Sequence, residues 1–388
     1  MVAINPHKVP FVGKFAQSMR SLHREDERGL LYRMEYDADY YTLLPVMDLV
    51  ANAGCSTFVA KTPDGGVKMG RNFDLRHYRN NIETSCADMT GLIVAVHTAN
   101  PRAKYASVGI ADAFWLDAKH GSFYEGVPED GKTDISMALL LPFICMDGVN
   151  ERGLAVSIMH LPTENRWDET AYVDPATLDE KQARALQLLE KSGETPDPLW
   201  YRAKSGSYAV NTADRRAWTA YKNFAVWQKE RGKKTMIHTV LMREMLDFCA
   251  NVDEAVALAA SVNVKSPARD NDYHVLVADA SGRALILEWI DGVLKWRDCP
   301  HATNFALCRA DRYGYGYDRD AILRDALRAH PNGMTGREIM ATLADAAQDC
   351  RGGAPVGFTQ WSAVYDLTHP GVKLCVHLDF SKEYEYTV

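Results

Sequence analysis

Strand-length apolar runs that meet across tight turns recur along this chain and constrain its fold more than any other feature. The clearest begins at Cys55: Cys55-Ser56-Thr57-Phe58-Val59-Ala60 is strand-like, Pro63-Asp64-Gly65-Gly66 is a turn, and residues 67–74 return as a second strand. Further strands are expected at 92–97, at 154–160 after the turn 147–153, and at 273–278 paired with 284–289 across Asp279-Ala280-Ser281-Gly282. That pair continues into a meander at 293–297, and residues 362–366 and 372–378 flank Thr368-His369-Pro370-Gly371. Helical spacing appears at 30–53, which Pro45 divides into two short helices, at 178–192 before Gly193, and at 236–249. Asn251 caps a following helix, and Thr335-Gly336-Arg337-Glu338 is a capping box that opens another. Strands in meanders beside grouped helices give an α+β class, with antiparallel sheets covered by helical layers rather than a doubly wound parallel sheet.

At 388 residues, one large sheet-based enzyme accommodates all of these elements. The polar and aromatic stretch 164–235, with Trp167, Trp200, Trp218 and Trp227, reads as a lid-like insertion. No apolar run is long enough for a membrane span. A net charge of -7 and basic residues scattered outside 229–234 exclude a nucleic-acid partner. The first residues lack the apolar region of a secretory signal, so a cytoplasmic location with reduced thiols is expected. Eight cysteines occur without Cys-x-x-Cys, and His-Glu-x-x-His is absent, so no metal site, cofactor or disulfide is expected.

A cysteine at a strand start is by itself more often packing than chemistry, but the neighbours of Cys55 alter that reading. A turn centred on Asp64-Gly65 sets Cys55 opposite Asp74, with Arg71 and Asn72 close by. Arg71 and Asp74 differ in strand parity, so a bulge or the long arginine side chain has to bring both to one site. An arginine beside a thiol favours thiolate, and an aspartate can orient an ammonium or guanidinium; the competing reading is a surface Arg-Asp pair. Gly54 lets the sulfur reach the preceding carbonyl, which makes self-cleavage of Gly54–Cys55 sterically accessible. The freed α-amino group, with a pKa of roughly 7.7–8.0 against about 8.5 for a thiol, then serves as the thiol's own base. On this reading residues 1–54 are expected to be an N-terminal prosegment that the cleavage removes, and 55–388 the mature domain.

Gly54-Cys55-Ser56-Thr57-Phe58 followed by Gly70-Arg71-Asn72-Phe73-Asp74, with Arg71 and Asp74 lying 16 and 19 residues after Cys55, resembles the choloylglycine hydrolase family. That family comprises bile salt hydrolases, penicillin V acylases and, more distantly, acid ceramidase and N-acylethanolamine acid amidase, within the N-terminal-nucleophile (Ntn) hydrolases. Asp147-Gly148-Val149-Asn150-Glu151-Arg152-Gly153-Leu154 is similar to a family turn, and Tyr273-His274 through Glu288 resembles its central meander. Ala302-Thr303-Asn304, Asp318-Arg319-Asp320 and Gln360-Trp361-Ser362 continue the likeness in order.

The resemblance implies a four-layer αββα sandwich and a catalytic set of Cys55, Arg71, Asp74, Asn304 and Arg319. Asn304 would donate to the oxyanion, and Arg319 would be the second arginine, with Arg312 as its rival. His160 stands where bile salt hydrolases carry asparagine, either as an oxyanion or substrate contact or as a structural residue at a strand end. The implied activity is hydrolysis of the C–N bond of a linear amide through a thioester. The substrate is then a small N-acyl amide: an N-acyl amino acid, a bile-salt-like conjugate or a penicillin V-like acyl amide. An acyltransferase passing the acyl group to an amine and a non-catalytic binding protein are the alternatives, and assembly as a homo-oligomer is left open.

Overall fold

The computed structural model describes residues 13–46, 54–75, 78–79, 82–83, 93–113, 135–162, 233–265, 271–290, 293–309, 312, 314–349 and 358–388. The expected helix at 178–192 and all but the last three residues of the 164–235 insertion lie outside them. Two large sheets organise the rest. The first has nine strands in the order His23–Arg24, Leu31–Tyr36, Ile93–Thr98, Ser107–Asp112, Cys145–Asn150, Ala155–Pro162, Asn271–Ala278, Ala284–Ile290 and Val293–Asp298. Its pairings are antiparallel except that Leu31–Tyr36 runs parallel to Ile93–Thr98. The second has six antiparallel strands in the order His301–Ala302, Gly54–Lys61, Val67–Asp74, Thr359–Asp366, Gly371–Val376 and Asp379–Thr387.

Interior strands of both sheets are buried along their whole length, as in Ser107–Asp112 and nearly all of Thr359–Asp366, so both faces are covered. One apolar cluster joins Val149 and Ile158 of the first sheet to Phe73, Trp361 and Leu374 of the second. A smaller cluster sets Leu323, Ile339 and Leu343, from the helices Tyr317–Ala329 and Gly336–Asp345, against Phe58 and Val364 of the six-stranded sheet. The helices His238–Phe248 and Val252–Ala260 come between two adjacent strands of the nine-stranded sheet, Ala155–Pro162 and Asn271–Ala278, and Asn150 Nδ2 of that sheet donates to the carbonyls of Leu246 and Cys249 at 2.9 and 2.8 Å. Asn251 and Thr335 cap their helices as expected, the latter with a complete capping box.

Several elements differ from the sequence reading. In the described part of the 30–53 stretch the first expected helix is replaced: Leu31–Tyr36 is a strand, followed by a 3₁₀ helix at Tyr40–Val46, and residues 47–53 lie outside the described residues. Tyr32, Met34 and Tyr36 are buried, whereas Arg33 is half-buried and Glu35 exposed, so the segment has the two-residue alternation of a half-buried strand, which the spacing of Leu30, Leu31 and Met34 masked as helix. Residues 147–150 of the expected turn belong to the strand Cys145–Asn150, with the reversal confined to Glu151-Arg152-Gly153. Strand 372–378 ends at Val376, where His377 and Leu378 take positive φ and reverse the chain into the additional strand Asp379–Thr387. Among the described residues, no helix is long and apolar enough to cross a membrane and no group of three or more potential metal ligands occurs.

Candidate active site

The hairpin that opens at Gly54 sets the geometry. Cys55 pairs with Phe73, and Gly54 with Asp74, so the register is one residue away from the expected Cys55–Asp74 pairing. The loop contains the five residues Thr62 to Gly66, closed by Thr62 N–H to the Gly66 carbonyl at 2.8 Å, and its centre is Asp64 rather than Asp64-Gly65. The correction removes the parity problem. Residues directly opposite share a face, so Cys55, Thr57, Arg71 and Phe73 point to one side and Ser56, Asn72 and Asp74 to the other. No bulge is needed between the two strands of the hairpin.

On the first face Arg71 is fully buried and forks three ways. Its Nη2 donates to Cys55 Sγ at 2.8 Å and to the Ile158 carbonyl at 2.7 Å, and its Nε donates to Asp147 Oδ2 at 3.1 Å. The Ile158 carbonyl is available because Cys145–Asn150 pairs with the neighbouring strand only as far as Ser157. Trp361 Nε1 and the Tyr365 hydroxyl also donate to Asp147, which makes this carboxylate the buried counterion of the arginine. Phe73 stacks on Trp361 with centroids 4.1 Å apart and lies under the guanidinium. Arg71 Nη1 is buried without a partner.

On the opposite face Asp74 accepts from Thr359 Oγ1 at 2.5 Å, Gln348 Nε2 at 2.8 Å and Arg319 Nη1 at 3.3 Å. The same Arg319 Nη1 donates to the Cys55 carbonyl at 2.6 Å and Ser56 Oγ at 2.8 Å, while Nη2 donates to Asn304 Oδ1 at 2.8 Å. Asn304 Oδ1 accepts the Cys55 N–H at 2.9 Å, and Nδ2 donates to the His160 carbonyl at 2.7 Å. Both main-chain polar groups of Cys55 are thus held by side chains roughly 250 residues away in sequence. Arg319 sits in the first turn of helix Tyr317–Ala329, which starts at Gly316 with φ 85°.

Cys55, Arg71, Asp74, Asn304 and Arg319 therefore converge, although Asp74 reaches Cys55 through Arg319 and its own main chain rather than across the hairpin. Arg312 lies elsewhere, stacked over Phe305 at 4.6 Å. The His160 ring meets the Tyr315 hydroxyl at 3.1 Å, and it is the His160 carbonyl that contacts Asn304. Asp147, Gln348 and Thr359 complete the cluster without having been singled out in the sequence; the turn that begins at Asp147 was the only signal among them.

Burial dominates the electrostatics. The Cys55 thiol is pushed up to about 11, because its burial outweighs the pull of Arg71 and the Asp74 charge adds to the rise. Arginine beside sulfur does favour thiolate here, but not by enough to ionise the thiol of the intact chain at neutral pH. Burial also raises the carboxyls of Asp74 and Asp147, opposed by Arg319 and Arg71 respectively.

No family model matches the chain, and no curated protein matches it. Among solved structures it is similar to a mutant of conjugated bile acid hydrolase from Clostridium perfringens, with 14% identity over 86% of this chain and 92% of that one and a TM-score of 0.47. A second variant of that enzyme matches with 14% identity, coverage of 86% and 92%, and a TM-score of 0.46. Penicillin V acylase from Agrobacterium tumefaciens matches with 15% identity, coverage of 85% and 84%, and a TM-score of 0.45. These are the enzyme types that the motifs around Cys55 resemble; with identities of 14–15% and TM-scores below 0.5, the functional case rests on the Cys55 cluster itself.

Proposed function

We propose that the protein is a cysteine N-terminal-nucleophile amidase with the αββα arrangement, activated by cleavage of Gly54–Cys55, that hydrolyses the C–N bond of a linear N-acyl amide. The observation that carries this reading is the convergence on one residue: Cys55 Sγ on Arg71, Cys55 N–H on Asn304 and Cys55 carbonyl on Arg319. Any buried residue needs partners for its main-chain groups, but a cysteine that only fills core space takes them from neighbouring strands and does not hold its sulfur against a buried guanidinium.

After cleavage the nitrogen held by Asn304 becomes a primary amine on the same residue as the thiol. It takes the thiol proton as sulfur forms a bond to the amide carbonyl carbon. The negative charge on the carbonyl oxygen is met by the second N–H of Asn304 Nδ2, with the unpartnered Nη1 of Arg71, on the guanidinium that contacts the sulfur through Nη2, as a further donor. The proton then passes to the departing nitrogen as the C–N bond breaks and leaves a thioester. Water attacks that thioester, the C–S bond breaks, the acid is released and the thiol regains its proton. Asp74 acts at one remove by fixing Arg319, which fixes Asn304 Oδ1. The substrate is an N-acyl amino acid, a bile-salt-like conjugate or a penicillin V-like amide.

Intact mass and N-terminal sequencing of purified protein test the reading, with Cys55→Ala alongside. The expected result is a new N-terminus at Cys55 in the wild type only, together with release of amine from penicillin V or a glycine-conjugated bile acid. An uncut wild-type chain that hydrolyses neither compound across pH 5–9 overturns it.

A further inference from the structure

Asn304 belongs to neither large sheet. It lies on the two-residue strand Asn304–Phe305, which among the described residues pairs only with Gly314–Tyr315, so the placing of its main chain, from which the carboxamide reaches Cys55, depends on what grips the surrounding segment. That grip comes from a cross-strand pair in the nine-stranded sheet, His274 opposite Glu288, both fully buried. His274 Nε2 lies 2.7 Å from the Thr303 carbonyl, next to Asn304, and its Nδ1 lies 3.0 Å from Glu288 Oε1. Glu288 Oε1 and Oε2 accept the N–H groups of Leu307 and Cys308 at 2.7 and 2.8 Å. A carboxylate that accepts two main-chain N–H groups faces the ring on one side and a carbonyl on the other, so both imidazole nitrogens are called on to donate.

We propose that His274 and Glu288 are positioning residues for the oxyanion donor, clamping segment 303–308 at both ends so that Asn304 stays on Cys55. This rests on the amidase reading given above. Burial works against ionised Glu288, yet the His274 and main-chain hydrogen bonds hold its carboxyl below the usual range, in keeping with a clamp of charge-assisted bonds. A displacement of about 1 Å in such a donor costs on the order of a hundredfold in rate.

Two substitutions at one position separate positioning from simple support. His274→Gln keeps a donor at the reach of Nε2, toward Thr303, and gives up the bond to Glu288; His274→Asn keeps the bond to Glu288 and gives up Thr303. Both are assayed in the full chain for the rate of cleavage after Gly54, for kcat and KM on penicillin V and a glycine-conjugated bile acid, and for melting temperature, with Glu288→Gln as a third variant. The expected result is a small loss for His274→Gln, within roughly fivefold, a loss of ~10–100-fold in cleavage rate and kcat for His274→Asn with KM unchanged, and an intermediate kcat loss for Glu288→Gln. Equal effects of the two His274 variants, or losses that merely follow the folded fraction, overturn the clamp. If either His274 variant fails to fold, wild-type kcat in folded Glu288→Gln overturns it. A wild-type chain that neither cuts itself nor turns over either compound overturns the amidase reading, and the clamp with it.

Discussion

Arg71 shows why single side chains at this site are hard to replace. Its planar fork serves sulfur, a carbonyl and a carboxylate at once, and a lysine, as a point donor, cannot satisfy all three. Arg71→Lys is expected to slow both self-cleavage and turnover by roughly a hundredfold or more with the fold retained, read from kcat and circular dichroism. In chain that has not been cut, labelling of Cys55 by iodoacetamide should stay slow from about pH 6 to 9 under native conditions, because burial both shuts out the reagent and holds the thiol protonated against the pull of Arg71. Peptide-level mass spectrometry gives the profile, and a rise near pH 8 would contradict it. Cys55, Arg71, Asp74, Asn304 and Arg319 were legible because each belongs to a short run of distinctive neighbours. Gln348 and Thr359 were not, since they meet Asp74 from 274 and 285 positions away and carry no local pattern.

At the scale of elements, two glycines hold Arg319 and Asn304 together by what they lack. A Cβ at Gly314 would lie 2.2 Å from the Asn304 carbonyl oxygen, and one at Gly316 would lie 2.6 Å from Arg319 Nη2, with φ at 142° and 85°. Gly316→Ala should therefore displace the guanidinium from Asn304 and lower kcat about tenfold or more, whereas Thr335→Ala, which removes only a helix cap, should cost about 1 kcal/mol and leave kcat alone. Thermal melts and turnover on the same samples separate the two. The hairpin at Cys55 was readable to within one residue because polar turn residues mark a loop without fixing its length, and a five-residue loop differs from a two-residue turn by that single step. Leu31–Tyr36 was missed for another reason: its local antiparallel partner, His23–Arg24, is only two residues long, and its full-length partner is a parallel strand about sixty residues on, which no local turn announces.

For the molecule as a whole, His301 gives a pH signature. Burial would lower its pKa, but the Asp320 carboxylate at 2.7 Å, together with Cys299, raises it to about 9. The folded state thus holds this proton more tightly than the unfolded chain does, near 6.5; the stabilisation is complete below that value and disappears as the pH rises through about 9. Denaturant unfolding between pH 6 and 10 should show the decline, and His301→Gln should flatten it. The segment ahead of Cys55 bears on the fate of a cut chain. Leu31–Tyr36 is hydrogen-bonded on both edges, and Tyr40 and Tyr41 both donate to buried Asp247, at 2.6 and 2.7 Å. Leu31, Met34 and Tyr36 are almost wholly enclosed, each worth ~1.5–3 kcal/mol of apolar contact. Severing Gly54 from Cys55 would then behave like drawing a bolt on a door that stays on its hinges. Two bands on a denaturing gel should elute as one particle from a sizing column, and the piece ahead of the cut would leave only when the whole body melts.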